Sequence, residues 1–165
     1  MLKTEVTVNT KKWDKLKGEL KDLKSCFTTC GLHYGETYSD GTSIPYIGSI
    51  QEFGVPDKSP PIPSRPFTRQ WFDGNLAKTK NKSRKILENI LDGNITVKEG
   101  LEELGFYGAT GIKQSIVQLK KPPNAPMTIR KKGFDDPLIE TGQMRDTVNH
   151  KEFIGQPFPK EEDDY

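Results

Sequence analysis

Residues 67–119 decide the fold, and they read FTRQWFDGNLAKTKNKSRKILENILDGNITVKEGLEELGFYGATGIKQSIVQL. The first part predicts a helix over residues 67–92, because apolar residues occupy one side and lysines and arginines the exposed part. Gly93-Asn94 ends this helix, and Thr96-Val97-Lys98-Glu99 is a capping-box pattern that begins a second helix, over residues 97–119. Pro122-Pro123 closes that helix. Two long helices joined by a short turn therefore form the centre of the chain.

The segment before this helical pair predicts strands around a shorter helix. Residues 2–8 alternate apolar and polar side chains, as a half-buried strand does. A helix is predicted over residues 10–25, with one apolar stripe formed by Trp13, Leu16, Leu20 and Leu23. A second strand is predicted from four residues of one parity, which are Cys30, Leu32, Tyr34 and Tyr38. Asp40-Gly41 is a strong turn signal after it.

A short helix and a long loop lead into the helical pair. Ile47, Ile50 and Phe53 recur at three-residue spacing, which predicts a helix that begins near Pro45 and ends at Gly54. Residues 54–66 predict an extended loop, because prolines cannot donate ladder hydrogen bonds. Its prolines are Pro56, Pro60, Pro61, Pro63 and Pro66. Loops of this length are often binding loops or arms.

The last third predicts two strands around a turn. Residues 127–131 form one candidate strand and residues 147–154 the other, after a helical turn near residues 141–145. The sum is an α+β fold, with a small, mostly antiparallel sheet packed against two to three helices. One domain is expected over residues 1–155, followed by an acidic tail over residues 156–165.

Composition and charge favour assembly without establishing it. The apolar share is 32%, below the roughly 45–50% of typical globular domains. The net charge of +2 gives no preference for nucleic acid, but residues 113–132 carry six basic side chains and no acid, whereas Glu161–Asp164 are all acidic. Opposite charges could set the register between subunits, or simply be solvated. No membrane span or signal peptide is recognisable, so synthesis and use in a reducing cytoplasm are expected.

Metal and catalytic patterns are incomplete. Cys26, Cys30 and His33 give C-x3-C-x2-H, but structural zinc needs four ligands and no fourth is evident. We therefore expect the cysteines to pack as small hydrophobes. Neither His33 nor His150 pairs with a nucleophile in its chain context. The sequence thus predicts no metal, no cofactor and no enzymatic activity.

A glycine pattern and a basic pattern each allow two interpretations. Gly105, Gly108 and Gly111 form G-x-x-G-x-x-G, but they follow a helical pattern rather than a strand, which favours close helix packing or a kink over a phosphate loop. The basic pattern predicts a surface that faces DNA or a neighbouring subunit, or alternatively a solvated helix face. Its residues are Lys78, Lys82, Arg84, Lys120, Lys121, Arg130 and Lys131.

The proline-rich loop is another candidate interaction site. We predict a salt bridge from Glu52 to Arg65 across the loop, with Phe67 as an anchor in the core. Such a brace would project residues 56–63 toward a neighbouring subunit, although a loop packed on its own domain fits the sequence equally well. The interface and bracing residues are Glu52, Phe53, Arg65, Phe67, Pro56, Pro61 and Pro63. Thr141 is expected to cap the turn that holds Met144.

Three segments in this order resemble a known family. They are YIGSIQEFG at residues 46–54, IPSRPF at residues 62–67 and PLIETGQMRDTV at residues 137–148. Separated by a helical middle, they resemble the neck and tail-completion proteins of long-tailed double-stranded DNA bacteriophages, over roughly residues 1–155. The proline-rich stretch Val55–Pro61 is longer than in that pattern, and the acidic tail is not part of it.

The resemblance implies a structural virion protein at the head–tail junction, assembled in the host bacterial cytoplasm. It implies a ring of identical subunits, with six as the expected number, and contacts with head-closure and tail-terminator proteins. It implies no catalysis. The alternative from the residues is a nucleic-acid-binding accessory factor that uses the basic segments 78–85 and 113–132. Non-specific contact with DNA in the channel of the ring is compatible with both functions.

Overall fold

The structure is a computed structural model in which residues 11–156 and residue 158 are described, without the side chains of residues 11, 12 and 15. The strand predicted over residues 2–8 lies outside the described residues, as does most of the predicted tail. The described part is a small α+β fold of six helices and one two-stranded sheet. The elements are α1 Lys11–Leu23, β1 Cys26–Gly31, α2 Ile44–Phe53, α3 Phe67–Leu91, α4 Val97–Gln118, α5 Pro126–Lys132, α6 Gln143–Thr147 and β2 Asn149–Ile154.

The central helical pair matches its prediction within a residue at each end. The capping box is formed, because the Thr96 hydroxyl accepts from the Glu99 N–H at 3.2 Å and the Glu99 carboxylate accepts from the Thr96 N–H at 2.7 Å. α3 and α4 run antiparallel, since Lys82 in the second half of α3 pairs with Glu103 in the first half of α4.

Glycines on α4 allow neighbouring elements to approach its backbone closely. A Cβ added at Gly111 would overlap the ring of Trp71 on α3. A Cβ at Gly108 would lie 2.5 Å from the Cys30 Sγ on β1, and Gly105 meets the sheet in the same way. The glycine pattern is therefore a packing surface, as expected, and not a phosphate loop.

The sheet pairs β1 with β2 in antiparallel register, from Cys26 opposite Ile154 to Gly31 opposite Asn149. One face packs on α4, and the other carries a stacked pair of Phe27 and Phe153 with ring centroids 4.7 Å apart. The prediction of a strand continuing to Tyr38 is wrong. β1 ends at Gly31, because Gly31 and Gly35 both have positive φ and turn the chain into a loop.

The strand predicted over residues 127–131 is also wrong, because this segment is helix α5. Pro126 lies in the first turn, where its fixed φ favours a helix. Gly133 ends α5 in the left-handed conformation, with its N–H donating to the Ile129 carbonyl at 2.7 Å. Five residues of alternating polarity could not distinguish a strand from a short helix.

The final strand and the turn before it were predicted well. β2 covers most of the predicted range of residues 147–154, and α6 lies where the helical turn was expected. The Thr141 hydroxyl accepts from the Gln143 N–H at 3.3 Å, and Gly142 adopts positive φ just before α6. This geometry buries Met144 in the main core.

Two apolar clusters lie along the α3–α4 pair. The larger one gathers Trp71, Ile112 and Ile116 with residues from α2 and α6. The smaller one is formed by Ile86, Ile90 and Val97 at the turn between α3 and α4. The larger cluster lies where α2 and the proline-rich loop join the helical pair, so it supports the candidate site.

Candidate interaction site

The proline-rich loop forms a closed arm. Val55 and Ile62 exchange two backbone hydrogen bonds, with N···O distances of 2.8 and 3.0 Å, which close its base. The six residues between them, Pro56–Pro61, are exposed, and so is Pro63 just beyond the base. We call residues 55–62 the proline arm. The predicted extended loop is therefore closed at its base like a hairpin and exposed between.

The arm is fixed to the end of α2. Gly54 has φ of 77°, and a Cβ there would lie 2.7 Å from the Ser64 nitrogen, so this position requires glycine. The Ser64 hydroxyl donates to the Glu52 carbonyl at 2.7 Å, and the Arg65 N–H donates to the Gln51 carbonyl at 2.6 Å. Both ends of the arm are thus held by the same turn of α2.

Arg65 is buried, with 5% of its surface exposed, and joins the arm to the linker between α4 and α5. Its Nε donates to the Pro122 carbonyl at 3.0 Å, and Nη2 donates to the Pro123 carbonyl at 2.9 Å. Nη1 donates to Gln51 Oε1 at 2.7 Å. Burial lowers the pKa of Arg65 from its ordinary value, while the nearby Asp135 opposes this shift. The guanidinium therefore satisfies three acceptors from two distant segments.

Glu52 is equally buried but serves a different element. Its carboxylate accepts from the N–H groups of Thr68 and Arg69, at 2.9 and 3.1 Å, and from Arg69 Nε at 3.1 Å. These N–H groups open α3, whose N-cap Pro66 offers no side-chain acceptor. A carboxylate at this position satisfies free donors and interacts favourably with the helix dipole.

The predicted salt bridge between Glu52 and Arg65 is therefore wrong. Arg65 turns toward carbonyls 57 and 58 residues further along the chain, a contact that no local pattern could indicate. The partner of Glu52 is Arg69, which sequence reasoning missed. The signal for it was the N-terminus of α3, because a helix that starts after proline needs an acceptor from another segment.

The two aromatic residues of this site point in opposite directions. Phe67 is 3% exposed and belongs to the main core, so its role as an anchor is confirmed. Phe53 is 65% exposed, with the Arg69 guanidinium 5.0 Å from its ring centroid. Phe53 thus presents an aromatic surface beside the base of the proline arm.

The α4–α5 linker is held from its other side as well. The Asn124 N–H donates to Asp135 Oδ1 at 2.9 Å, and Lys132 Nζ donates to the Asp136 carbonyl at 2.7 Å. Lys120 forms an ion pair with Asp136. These contacts place α5 at a defined position relative to Arg65 and the arm.

The basic candidates do not form one surface. Residues 78–85 lie beside the first half of α4, as the Lys82–Glu103 pair shows, whereas residues 113–132 begin near its end. The helical residues from Glu103 to Gln118 span roughly 22 Å at 1.5 Å per residue. Lys82 and Lys120 are paired with acids, while Lys78, Arg84, Lys121, Arg130 and Lys131 are exposed.

The cysteines and His33 behave as packing residues. Cys30 packs against the main core and Cys26 against the smaller cluster, and burial raises the pKa of both thiols. The His33 Nε2 lies 2.9 Å from the Thr29 hydroxyl, while burial and the neighbouring Lys151 and His150 lower the pKa of His33. Within the described residues, no group of three or more potential ligands is placed to hold a metal ion.

A shallow depression between α4 and β2 was not predicted. It is lined by Glu99, Glu102, Glu103, Phe106, Asn149, His150 and Glu152, and we call it the acidic groove. Its residues come from segments more than 40 positions apart in the chain, so their grouping depends on the packing of β2 against α4. A second depression, beside α6, is lined mostly by polar residues.

Comparison of the chain with protein-family models, with curated proteins and with solved structures finds no match in any of the three. The resemblance to phage neck proteins therefore depends on the three sequence segments. Among the helices of the described residues, none is long and apolar enough to cross a membrane.

Proposed function

We propose that this chain is a structural subunit of the head–tail junction of a long-tailed bacteriophage. In this role it forms part of a ring, with six as the expected number of subunits, that joins the head-closure complex to the tail. The observation that carries the proposal is the proline arm, an exposed loop with a closed base. The three motif segments that resemble neck and tail-completion proteins support the same role.

The geometry of the arm suits docking against another subunit. A loop that is ordered before binding loses little conformational entropy on assembly, so more of its contact energy stabilises the complex. Prolines at Pro56, Pro60 and Pro61 restrict the backbone further. An exposed, pre-organised segment of this kind fits a surface on a neighbour better than it fits chemistry on a small substrate.

The surroundings of the arm support this interpretation. Gly54, Ser64 and the buried Arg65 fix its base to α2 and to the α4–α5 linker. Phe53, at the end of α2 beside that base, is 65% exposed, and Tyr46 in the first turn of α2 is 62% exposed. Exposed aromatic side chains next to a rigid arm give a binding surface with apolar contact area and little side-chain entropy to lose.

The location of the protein tests the proposal directly. Cryo-electron microscopy of phage particles that contain this chain should resolve a ring of this α+β fold at the head–tail junction. Light scattering on the purified protein, alone and with its neck partners, should reveal self-association or joint assembly. A strict monomer under both conditions, or particles without this fold at the junction, would contradict the proposal.

The arm itself is tested by shortening it. Replacing residues 56–61 by Asn-Gly leaves Val55 and Ile62 paired, because a two-residue turn of this type closes an antiparallel pair. We expect the variant to keep its melting temperature but to lose joining of heads to tails in a complementation assay. The control replaces the same six residues by Gly and Ser, which keeps the length of the arm while removing its rigidity.

We expect the Gly-Ser arm to give intermediate particle yields, because the contact area partly remains while the ordering cost rises. Normal yields of infectious particles from the Asn-Gly variant would show that the arm has no docking role. The alternative function, binding of nucleic acid, predicts DNA affinity that falls steeply with salt. It would use the exposed cations of residues 78–85 and 113–132, and absence of binding at low salt would exclude it.

A further inference from the structure

The acidic groove has an apolar centre and a negative rim. Phe106 is 64% exposed and lines the groove together with three glutamates of α4 and Glu152 of β2. Glu102 and Glu152 line the same depression from the two elements, while Glu99 already serves the capping box of α4. An exposed aromatic ring surrounded by carboxylates is suited to an apolar group flanked by cations.

Three glutamates of this groove lie beside basic side chains of the same chain. Glu102 lies 3.7 Å from Lys98 Nζ, and Glu152 lies 3.1 Å from His150 Nε2. Glu103 pairs with Lys82. The Lys98–Glu102 pair is exposed, and exposed ion pairs contribute little stability, so a partner that brings cations can replace this pair at small cost.

Helix α5 has the complementary surface. Met127 is 75% exposed, and Arg130 and Lys131 are exposed as well. Positions three and four residues apart share one face of a helix, so Met127 lies on the same face as the two cations, one turn before them. α5 is held in place by the contacts of Asn124 and Lys132 with the segment that follows it, so this face is pre-organised.

The two surfaces lie toward opposite ends of the molecule. The groove is beside the first half of α4, whereas α5 follows its C-terminal end. The helix from Glu102 to Gln118 alone spans roughly 24 Å. Because the α4–α5 linker is tied down by Arg65, α5 does not reach the groove of its own chain.

We propose that α5 of one copy of this chain docks into the acidic groove of the next copy. Met127 contacts Phe106, a favourable sulfur–aromatic pairing, while Arg130 and Lys131 lie among the glutamates. The inference rests on the proposed function, and it specifies how the ring is built. Because two different surfaces meet, each copy uses both, and repetition gives a closed ring or an open filament.

Charge reversal tests this contact. The groove variant carries Glu102→Lys and Glu152→Lys, and the helix variant carries Arg130→Glu and Lys131→Glu. Each variant alone places like charges in contact, and we expect self-association measured by analytical ultracentrifugation to weaken roughly 100-fold. A chain with all four substitutions regains opposite charges and should associate within about tenfold of the wild type.

Mixing the two single-surface variants provides a sharper test. In an equimolar mixture, the unchanged helix of the groove variant meets the unchanged groove of the helix variant, and the two reversed surfaces match each other. Association should therefore return only in the mixture, with the variants alternating, and only rings with an even number of subunits can close. The matched control, Lys17→Glu with Lys21→Glu on the exposed side of α1, should leave association unchanged.

The inference and the proposed function fail in different ways. Single-surface variants that associate like the wild type, or a wild-type protein that stays monomeric at the highest soluble concentration, would overturn the α5–groove contact. Circular dichroism must show that each variant is folded, and the mixture supplies its own check because it uses the same two proteins. Particles that lack this chain at their junction would instead overturn the proposed function, whatever the association data give.

Discussion

Replacing Arg65 by alanine removes the contact that joins the proline arm to the α4–α5 linker. The guanidinium is 5% exposed and donates to Gln51, Pro122 and Pro123. Alanine leaves three acceptors without their donor in a site where water has little access. The perturbation therefore tests whether this buried cation stabilises the junction or merely fills space.

The magnitude follows from those three hydrogen bonds. A hydrogen bond from a charged donor contributes about 1.5–3 kcal/mol, and a buried acceptor left unpaired costs about 1–3 kcal/mol. The contributions are not additive, because the truncated side chain lets water reach part of the site. We expect the free energy of unfolding to fall by roughly 3–5 kcal/mol, which for a chain of this size lowers the melting temperature by about 10 °C.

Urea denaturation followed by circular dichroism measures the change, and Arg69→Ala is the matched control. The Arg69 side chain is 55% exposed, and without it Glu52 still accepts from two backbone N–H groups. Its loss should cost about 1–2 kcal/mol, because two hydrogen bonds to Glu52 are lost from a side chain that is half exposed. Arg65→Lys should recover only part of the stability, since an ammonium cannot reach three separated acceptors as a planar fork does. Equal losses for Arg65→Ala and Arg69→Ala would refute this reasoning.

Two further predictions concern α4 packing and pH. Gly111→Ala places a methyl group in the ring of Trp71 and should lower the free energy of unfolding, measured by thermal melting, by about 3 kcal/mol. Gly74→Ala in α3, where a Cβ meets open space, should raise it by about 0.5–1 kcal/mol. Similar effects at both glycines would contradict the packing argument. The lowered pKa of His33 means that the native state binds a proton at this side chain less readily than the unfolded chain does. The contribution of neutral His33 to the free energy of unfolding is therefore fully present above the unfolded pKa of about 6.5, and it declines as the pH falls toward the lower pKa of the folded state. Melting temperatures between pH 7.5 and 5 should fall less for His33→Gln than for the wild type, and parallel pH profiles would exclude His33 as the cause.

Part of the candidate site was accessible from sequence. The glycine at position 54 and the prolines that follow it predicted a break after α2 and an extended loop, because each acts on its own backbone torsion angles. The burial of Phe67 was expected for a large aromatic side chain that anchors the end of the loop in the core. The partners of Glu52 and Arg65 did not follow, since both side chains were assigned to each other from proximity in the chain alone.

The amino-acid sequence by itself determined α2, α3, α4 and the capping box at Thr96, because hydrogen bonds within a helix and its caps join residues three or four positions apart. Over residues 127–131 the alternating pattern was too short to predict the structure, and Pro126 and Gly133 begin and end a helix there instead. Only the tertiary structure brought Arg65 to the carbonyls of Pro122 and Pro123, and only it placed Phe106 beside Glu152 in the acidic groove. Contacts of this kind depend on how helices and strands pack, and packing is a property of the whole chain rather than of any segment.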